Sequence, residues 1–166
     1  MNALYVIAIF LPLAGALAAG LFGRSLGDRG SQLATCSALI LAAVISVIAF
    51  IDVALGHAPR SVELFRWIES GNFEAAWALR FDTLSVVMMC VVTIVSACVH
   101  VYSIGYMSHD HSKPRFMSYL SLFTFAMLML VTADNLVQMF FGWEGVGVCS
   151  YLLIGFWYDR PSANAA

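Results

Sequence analysis

One stretch of the sequence decides the fold, and it reads Asn135-Leu-Val-Gln-Met-Phe-Phe-Gly-Trp-Glu-Gly-Val-Gly-Val-Cys-Ser-Tyr-Leu-Leu-Ile-Gly-Phe-Trp-Tyr158. It is apolar enough, and long enough, to cross the hydrocarbon core of a bilayer, which takes about 20 residues of helix. Glu144 lies near its middle. An acid at that depth costs about 2.5 kcal/mol or more to insert, so it usually serves ion or proton handling. The stretch therefore predicts a membrane helix with a functional acid.

The composition of the whole chain indicates the same class of protein. Of the 166 residues, 61% are hydrophobic and 11% are charged, and the mean hydropathy is +0.87, whereas charged residues make up about 25% of a soluble domain. Lipid can solvate so apolar a chain, and water cannot. The net charge of −2 comes with no cluster of Lys or Arg, so no nucleic acid is expected as a partner. We predict an all-α, polytopic transmembrane helix bundle in a lipid bilayer.

Five apolar segments have the length of membrane-spanning helices. They run approximately from Leu4 to Phe22, Leu33 to Leu55, Leu84 to Ile104, Phe116 to Ala133 and Leu136 to Trp157. No repeat or low-complexity tract separates them, so residues 1–166 are predicted to form a single transmembrane domain. The long connection between the second and third segments alternates apolar and polar residues around a turn at Glu69-Ser-Gly-Asn72. This pattern predicts a β-hairpin on the membrane surface.

The basic residues of the connections predict an orientation. Arg24 and Arg29 lie in the first connection, Lys113 and Arg115 in the third, and Arg160 after the last segment. By the positive-inside rule these connections are cytoplasmic and the N-terminus is outside. The first segment is expected to be retained and not cleaved as a signal peptide, because no base precedes it and its apolar run is too long.

The predicted helix around Glu144 has recognisable limits. Asp134-Asn135 supplies an N-terminal cap with an acid at the positive end of the helix dipole, and Pro161 lies just beyond the helix end. Between these limits Glu144 is predicted to lie about 15 to 20 Å from either end, at 1.5 Å per residue. A glutamate side chain cannot reach water from there, so it must face protein or a hydrated cavity.

Three glycines, Gly142, Gly145 and Gly147, surround Glu144. Each costs about 1 kcal/mol relative to alanine inside a helix, so they suggest close packing of a neighbouring helix or space for water. Burial without a cation favours a protonated carboxyl group, whereas a nearby lysine favours the carboxylate. A partner that moves would thus make such a group take up and release a proton. The only lysine, Lys113, is in a loop, so the partner must come from elsewhere; a hydrogen bond for packing alone is the competing interpretation.

Other polar residues are weaker candidates. His100, one turn before the end of the third segment, is either a hydrogen-bonded or interfacial histidine or part of a hydrated proton path. Asp82 and Asp134 stand at helix starts, where a capping role alone would explain them. The cluster His109-Asp110-His111 is either a solvated loop or a metal site.

No motif for binding a cofactor is present. The sequence has no Walker loop, no dinucleotide fingerprint and no haem-attachment motif, so no cofactor or metal is expected to bind to this chain. The four cysteines lie in apolar runs without CxxC spacing and are interpreted as small hydrophobic residues in helix packing.

The stretch from Ala133 to Trp157 closely resembles the fifth helix of subunit L, or chain 5, in the antiporter-like membrane subunits of proton-pumping NADH:quinone oxidoreductase, respiratory complex I. The resemblance extends to Leu11-Pro-Leu13, Leu79-Arg-Phe-Asp-Thr-Leu-Ser85, Val99-His-Val-Tyr-Ser-Ile-Gly-Tyr-Met107 and Arg115-Phe116. It implies that Glu144 is the helix-five glutamate of a proton channel, paired with a lysine on a later helix. Asp134, Trp143 and the glycines match the surrounding motif without a separate chemical role.

The resemblance also implies partners and a location. The other membrane subunits of complex I are expected as partners, with NADH, FMN, iron-sulfur clusters and quinone bound in partner subunits, in a bacterial inner membrane. Members of the family continue through many more helices, so these 166 residues are expected to be an N-terminal portion that is inactive alone. Two alternatives remain open: a subunit of a cation/proton antiporter or membrane-bound hydrogenase, and a structural membrane scaffold without proton transfer.

Overall fold

The computed structural model describes residues 2–71, 73–160 and 163. Its elements are helix α1 (Asn2–Phe50), continued by a π-helical turn (Ile51–Leu55), strands β1 (Arg60–Ser70) and β2 (Phe73–Phe81), and helices α2 (Thr83–Tyr106), α3 (Lys113–Val131) and α4 (Leu136–Ile154). The predicted helical bundle with a hairpin between helices is confirmed. Pro161, expected just beyond the last helix, lies outside the described residues.

Gly27 divides α1 into two antiparallel arms, residues 2–26 and 28–50. Its φ of 67° and ψ of −178° are readily adopted only by glycine, and its neighbours on both sides are helical. The arms pack closely, because a β-carbon on Gly15 would lie 3.3 Å from the β-carbon of Ala38. The first two predicted segments are therefore joined by a one-residue reversal, which is much shorter than the connection that the sequence suggests.

Four helices in the described part of the chain are long and apolar enough to cross a membrane, namely α1 with its π-helical turn, α2, α3 and α4. Since α1 folds back at Gly27, it supplies two crossings. The five predicted segments are thus present, with the first two carried by one bent helix.

Strands β1 and β2 form the predicted hairpin. They pair antiparallel, with Arg60 opposite Phe81 and Ser70 opposite Phe73. The hairpin is attached to the bundle by a backbone bond from Arg80 N to Thr132 O of 2.8 Å. An edge contact between the rings of Trp77 and Phe141, with centroids 4.8 Å apart, joins it to α4 as well.

The hydrophobic core lies where both arms of α1 meet α2, α3 and the hairpin. Its fully buried members include Tyr5, Ile9, Leu79, Phe81, Met89, Leu128 and Met129. Helix α3 packs against α1 on one side and α4 on the other. Helix α4 is consequently the outermost helix, and most of its surface is uncovered by the described residues.

The first, third and last connections meet at one end of the bundle, as the orientation prediction requires. There Lys113 Nζ lies 2.9 Å from Asp28 Oδ2, and the indole N–H of Trp157 donates to Asp110 Oδ2 at 2.9 Å. We call this the Gly27 end, and the opposite one the hairpin end. At the hairpin end the hydroxyl of Tyr5 donates to the carboxylate of Asp52, which also forms an ion pair with Arg60 at 2.8 Å.

Candidate functional site on the fourth helix

Helix α4 begins at a side-chain cap. The side-chain oxygen of Asn135 accepts a hydrogen bond from Gln138 N at 2.9 Å, and its amide group donates to Ala76 O at 2.7 Å. Asp134 is exposed and makes no capping bond. The sequence assigned the cap to Asp134 and Asn135 together, but among the described residues only the side chain of Asn135 accepts a hydrogen bond from the first turn.

Glu144 is the ninth residue of the 19-residue helix α4. At 1.5 Å per residue it lies about 12 Å from one end and about 15 Å from the other. The predicted 15 to 20 Å was too long, because the helix ends at Ile154 with Gly155 as its C-cap and does not continue to Trp157. The residue is nevertheless central in its helix.

The carboxyl group of Glu144 faces away from α3. Its side chain is exposed, and no described residue forms a hydrogen bond or ion pair with it. On the same face lie Phe140, one turn before, and Gly147 and Val148, one turn after; all three are exposed. The acid thus stands on an apolar face that the described part of the chain leaves open.

The three glycines near Glu144 have two different environments. A β-carbon on Gly142 would lie 2.6 Å from Leu130 N, and one on Gly145 would lie 3.1 Å from the β-carbon of Ala126, both in α3. A β-carbon on Gly147 would meet nothing within 4 Å. Two glycines therefore bring α4 close to α3, and the third lies on the open face beside Glu144. Trp143 is also exposed, at 67%.

Gln138 is a buried polar residue that sequence reasoning missed. It is fully buried, and its side-chain oxygen accepts a hydrogen bond from Ala78 N of strand β2 at 3.0 Å. Its amide nitrogen has no hydrogen-bond partner in the part of the chain that the structure describes. The available signal was its position, because Gln138 lies four residues before Gly142 and so on the same face of the helix.

His100 is fully buried between α2 and α3. Its Nδ1 lies 2.8 Å from Ser96 O and its Nε2 lies 2.9 Å from Ser121 Oγ. A carbonyl oxygen only accepts, so Nδ1 carries the proton and, in the neutral ring, Nε2 accepts from the Ser121 hydroxyl. The hydrogen-bonded interpretation is confirmed, whereas an interfacial position and a role in a proton path stay predictions.

His100 and Glu144 belong to different parts of the bundle. His100 contacts α3 through Ser121, whereas α4 packs on the α3 residues Ala126 and Leu130, more than one turn further along. Gly142 and Gly145 lie against α3 and Glu144 lies on the far side of α4, so the two titratable groups do not form one cluster.

Asp82 caps helix α2, as the sequence predicted. Its carboxylate accepts a hydrogen bond from Ser85 N at 2.8 Å and lies 3.1 Å from Arg80 Nε. The backbone N–H of Ser85 is the main cause that lowers the pKa of Asp82, with Arg80 adding to it. The capping role accounts for this residue.

The His109-Asp110-His111 cluster does not converge on one point. Asp110 accepts from Trp157 and, through Oδ1, from Ser112 N at 2.8 Å. Among the described residues no group of three or more His, Cys, Asp or Glu side chains is arranged to hold a metal ion. The four cysteines are free thiols, of which Cys36 and Cys149 are buried.

Two family models match the chain. Residues 67–117 match the model described as NADH-ubiquinone oxidoreductase (complex I), chain 5 N-terminus, and residues 133–166, which include all of α4, match the model described as NADH:quinone oxidoreductase/Mrp antiporter, TM. The chain belongs to the chain 5 family of complex I membrane subunits. The first match covers Asp82 and His100, and the second covers Glu144.

Curated relatives of this chain 5 family member come from fungi and plants. NADH-ubiquinone oxidoreductase chain 5 of Podospora anserina is 51% identical over 97% of the chain and 25% of the relative. The protein of that name from Marchantia polymorpha is 53% identical over 98% of the chain and 24% of the relative. A Neurospora crassa protein named probable intron-encoded endonuclease 4 is 51% identical over 97% of the chain and 30% of the relative. The chain thus spans about a quarter of the length of these relatives.

Proposed function

We propose that this chain is part of a subunit that translocates protons across a membrane within a complex I-like NADH:quinone oxidoreductase. Glu144 is the protonatable group in this proposal, and a lysine elsewhere in the longer subunit sets its affinity for a proton. NADH, FMN, iron-sulfur clusters and quinone bind to partner subunits, so this chain carries no redox chemistry. Family membership supports the complex, and the position of Glu144 supports the role of this residue.

The open face of α4 is the observation that carries the role of Glu144. A carboxyl group in the middle of a membrane helix is expensive unless it meets a partner or water. Gly142 and Gly145 pack α4 onto α3, and a residue two positions from Gly142 is rotated by about 200° around the helix. Packing against α3 therefore directs Glu144 away from the described bundle. This orientation suits a charged group that interacts with a further helix or with a hydrated channel.

Replacement of Glu144 by glutamine in the full-length subunit tests the proposal. Glutamine has nearly the same shape and cannot ionise, so pumping should fall severalfold while the subunit still assembles. The measurement is the number of protons pumped per NADH oxidised in proteoliposomes, with assembly followed by native gel electrophoresis. Glu144→Asp keeps the charge and should retain part of the pumping.

Glu63→Gln is a matched control, because Glu63 lies exposed in β1, outside the membrane-spanning helices. It should pump as the wild type does. Unchanged pumping by an assembled Glu144→Gln complex would reject proton transfer through this residue. Loss of assembly in Glu144→Gln, with assembly intact in Glu63→Gln, would favour a structural scaffold instead.

The proposal places the chain in a bacterial inner membrane with its N-terminus outside. The Gly27 end carries five of the eight Lys and Arg residues and only three of the ten acids, which by the positive-inside rule makes it the cytoplasmic end. A cysteine at Arg29 should then react with a membrane-impermeant maleimide only after the cells are opened, and a cysteine at Glu69 in the hairpin should react in intact cells. The reverse pattern would invert the orientation.

A further inference from the structure

A cavity of about 770 Å³ opens at the Gly27 end, between the first arm of α1 and the start of α3. Arg24, His111 and Arg115 line it together with Ser112 and Tyr119. It does not involve Glu144 or His100. Its charged lining lies near the helix ends, whereas Ala19 and Gly20 of its lining lie one turn or more deeper along α1.

The charge of this cavity is positive. Asp28 also lines it, but the ion pair of 2.9 Å with Lys113 offsets its charge. Arg115 donates to Phe156 O at 3.0 Å, and its guanidinium lies over the rings of Phe156 and Tyr158. These partners are neutral, so Arg115 adds positive charge to the cavity. No carboxylate among the described residues lies within ion-pair distance of Arg24. The nearby acid Asp110 does not line the cavity, and it is bound to Trp157 and Ser112.

Helix α3 adds a second attraction for an anion. Its N-cap, Ser112, lines the cavity and makes no side-chain capping bond. Because Pro114 has no N–H, the N–H groups of Lys113 and Arg115 are the first-turn donors without a side-chain partner among the described residues. The N-terminus of a helix carries a partial positive charge and binds phosphate groups readily. The arginines and the N-terminus of α3 therefore both attract an anion into this cavity.

The location decides which anion fits. The cavity lies at the end of membrane-spanning helices, where lipid headgroups are found. Its mouth is basic, and its inner lining is formed by small residues and Tyr119. Basic pockets between membrane helices on the cytoplasmic side are suited to anionic headgroups. We propose that this cavity binds the phosphate group of an anionic phospholipid, with Arg24 as its most accessible charged contact and the acyl chains along α1 and Tyr119.

Photo-crosslinking tests this site in the full-length protein, purified with its native partners and placed in nanodiscs. Two probes with identical photoactivatable acyl chains are compared, phosphatidylglycerol and phosphatidylcholine, and the crosslinked peptides are mapped by mass spectrometry. Phosphatidylglycerol should label the peptides around Gly20 and Tyr119 in preference to phosphatidylcholine. Arg24→Gln should reduce this preference about fivefold, the effect of one basic residue near an anionic surface.

Arg29→Gln is the matched control, because Arg29 belongs to the same turn but does not line the cavity; it should leave the preference unchanged. Arg24→Lys keeps the charge and should retain most of the preference for phosphatidylglycerol. It is the variant to measure if Arg24→Gln prevents assembly. Equal labelling by the two probes, or equal losses in the Arg24 and Arg29 variants, would overturn the proposal. Displacement of the phosphatidylglycerol probe by millimolar inorganic phosphate would overturn the lipid assignment and indicate a site for a free anion.

Discussion

Gly142 of α4 faces the backbone of Leu130 in α3 so closely that a β-carbon at position 142 would lie 2.6 Å from Leu130 N. Gly142→Ala must therefore push the helices apart, and overpacking of this kind costs about 1 to 3 kcal/mol. Gly147→Ala meets nothing within 4 Å and should be neutral or stabilise the helix by up to about 1 kcal/mol. Thermal unfolding of this chain in detergent, followed by circular dichroism, checks both variants. Equal stabilities would contradict the close approach.

The start of α4 offers a test of which residue caps it. Asn135→Ala removes the acceptor for Gln138 N and should cost about 1 kcal/mol of unfolding free energy. Asn135→Asp keeps that acceptor but loses the donor to Ala76 O, so it should fall between the alanine variant and the wild type. Asp134→Ala is the control and should change stability by less than about 0.5 kcal/mol. If Asp134→Ala lowers the free energy of unfolding more than Asn135→Ala does, Asp134 is the residue that caps α4.

A third prediction concerns the stability that the hydrogen bond between Ser121 and His100 contributes. Ser121→Ala leaves the Nε2 acceptor of a buried imidazole without its donor, which should destabilise the fold by about 1 to 3 kcal/mol. Ser37→Ala is a suitable comparison, because Ser37 is exposed and bonds only to Ala34 O in its own helix. Melting temperatures in detergent should separate the two variants clearly. Indistinguishable melting would mean that Ser121 does not satisfy the ring.

The hydrogen bond from Trp157 to Asp110 leads to a prediction about how the stability of the protein depends on pH. The indole N–H is the main cause that lowers the pKa of Asp110, so its contribution to stability is complete above the unfolded-state pKa of about 3.9 and is lost as the pH falls through the lower folded-state pKa. Trp157→Phe should destabilise the protein at pH 7, and the difference from wild type should narrow below about pH 4. Chemical unfolding across this range measures it.

Trp67→Phe is the control for this pH series, because Trp67 packs against Trp77 and donates no hydrogen bond to a carboxylate among the described residues. Its difference from wild type should stay constant as the pH falls. A constant difference for Trp157→Phe as well would show that the hydrogen bond to Asp110 contributes no pH-dependent stability.

The membrane segments and the hairpin were predictable from the sequence because they depend on local properties. A helix that crosses lipid needs an apolar run of fixed length, and the hairpin needs turn residues between alternating strands. The end of α4 was missed because Phe156 and Trp157 are apolar yet belong to the contacts of Arg115 and Asp110. Hydrophobicity alone does not distinguish a residue in a helix from one that folds back beside it.

Contacts between helices limited the remaining predictions. Gly20, Gly23 and Gly27 all lie near the first reversal, but Gly20 and Gly23 are explained by close contacts with Ser118 and Pro114 of the distant helix α3. Of these three glycines, Gly27 alone adopts a positive φ. Likewise, the division of the glycines near Glu144 into two that pack and one that is open depends on where α3 lies, which no local pattern specifies.

The one-residue reversal at Gly27 has a consequence for how the protein enters its membrane. Because no loop separates the two apolar arms, they must insert into the membrane at nearly the same time. Neither arm can reverse its orientation in the membrane without the other. The first two crossings should therefore insert as a single helical hairpin, which carries both of its ends to the same side. The first helical hairpin is then already inserted when the later helices follow, and their directions across the membrane are determined relative to it.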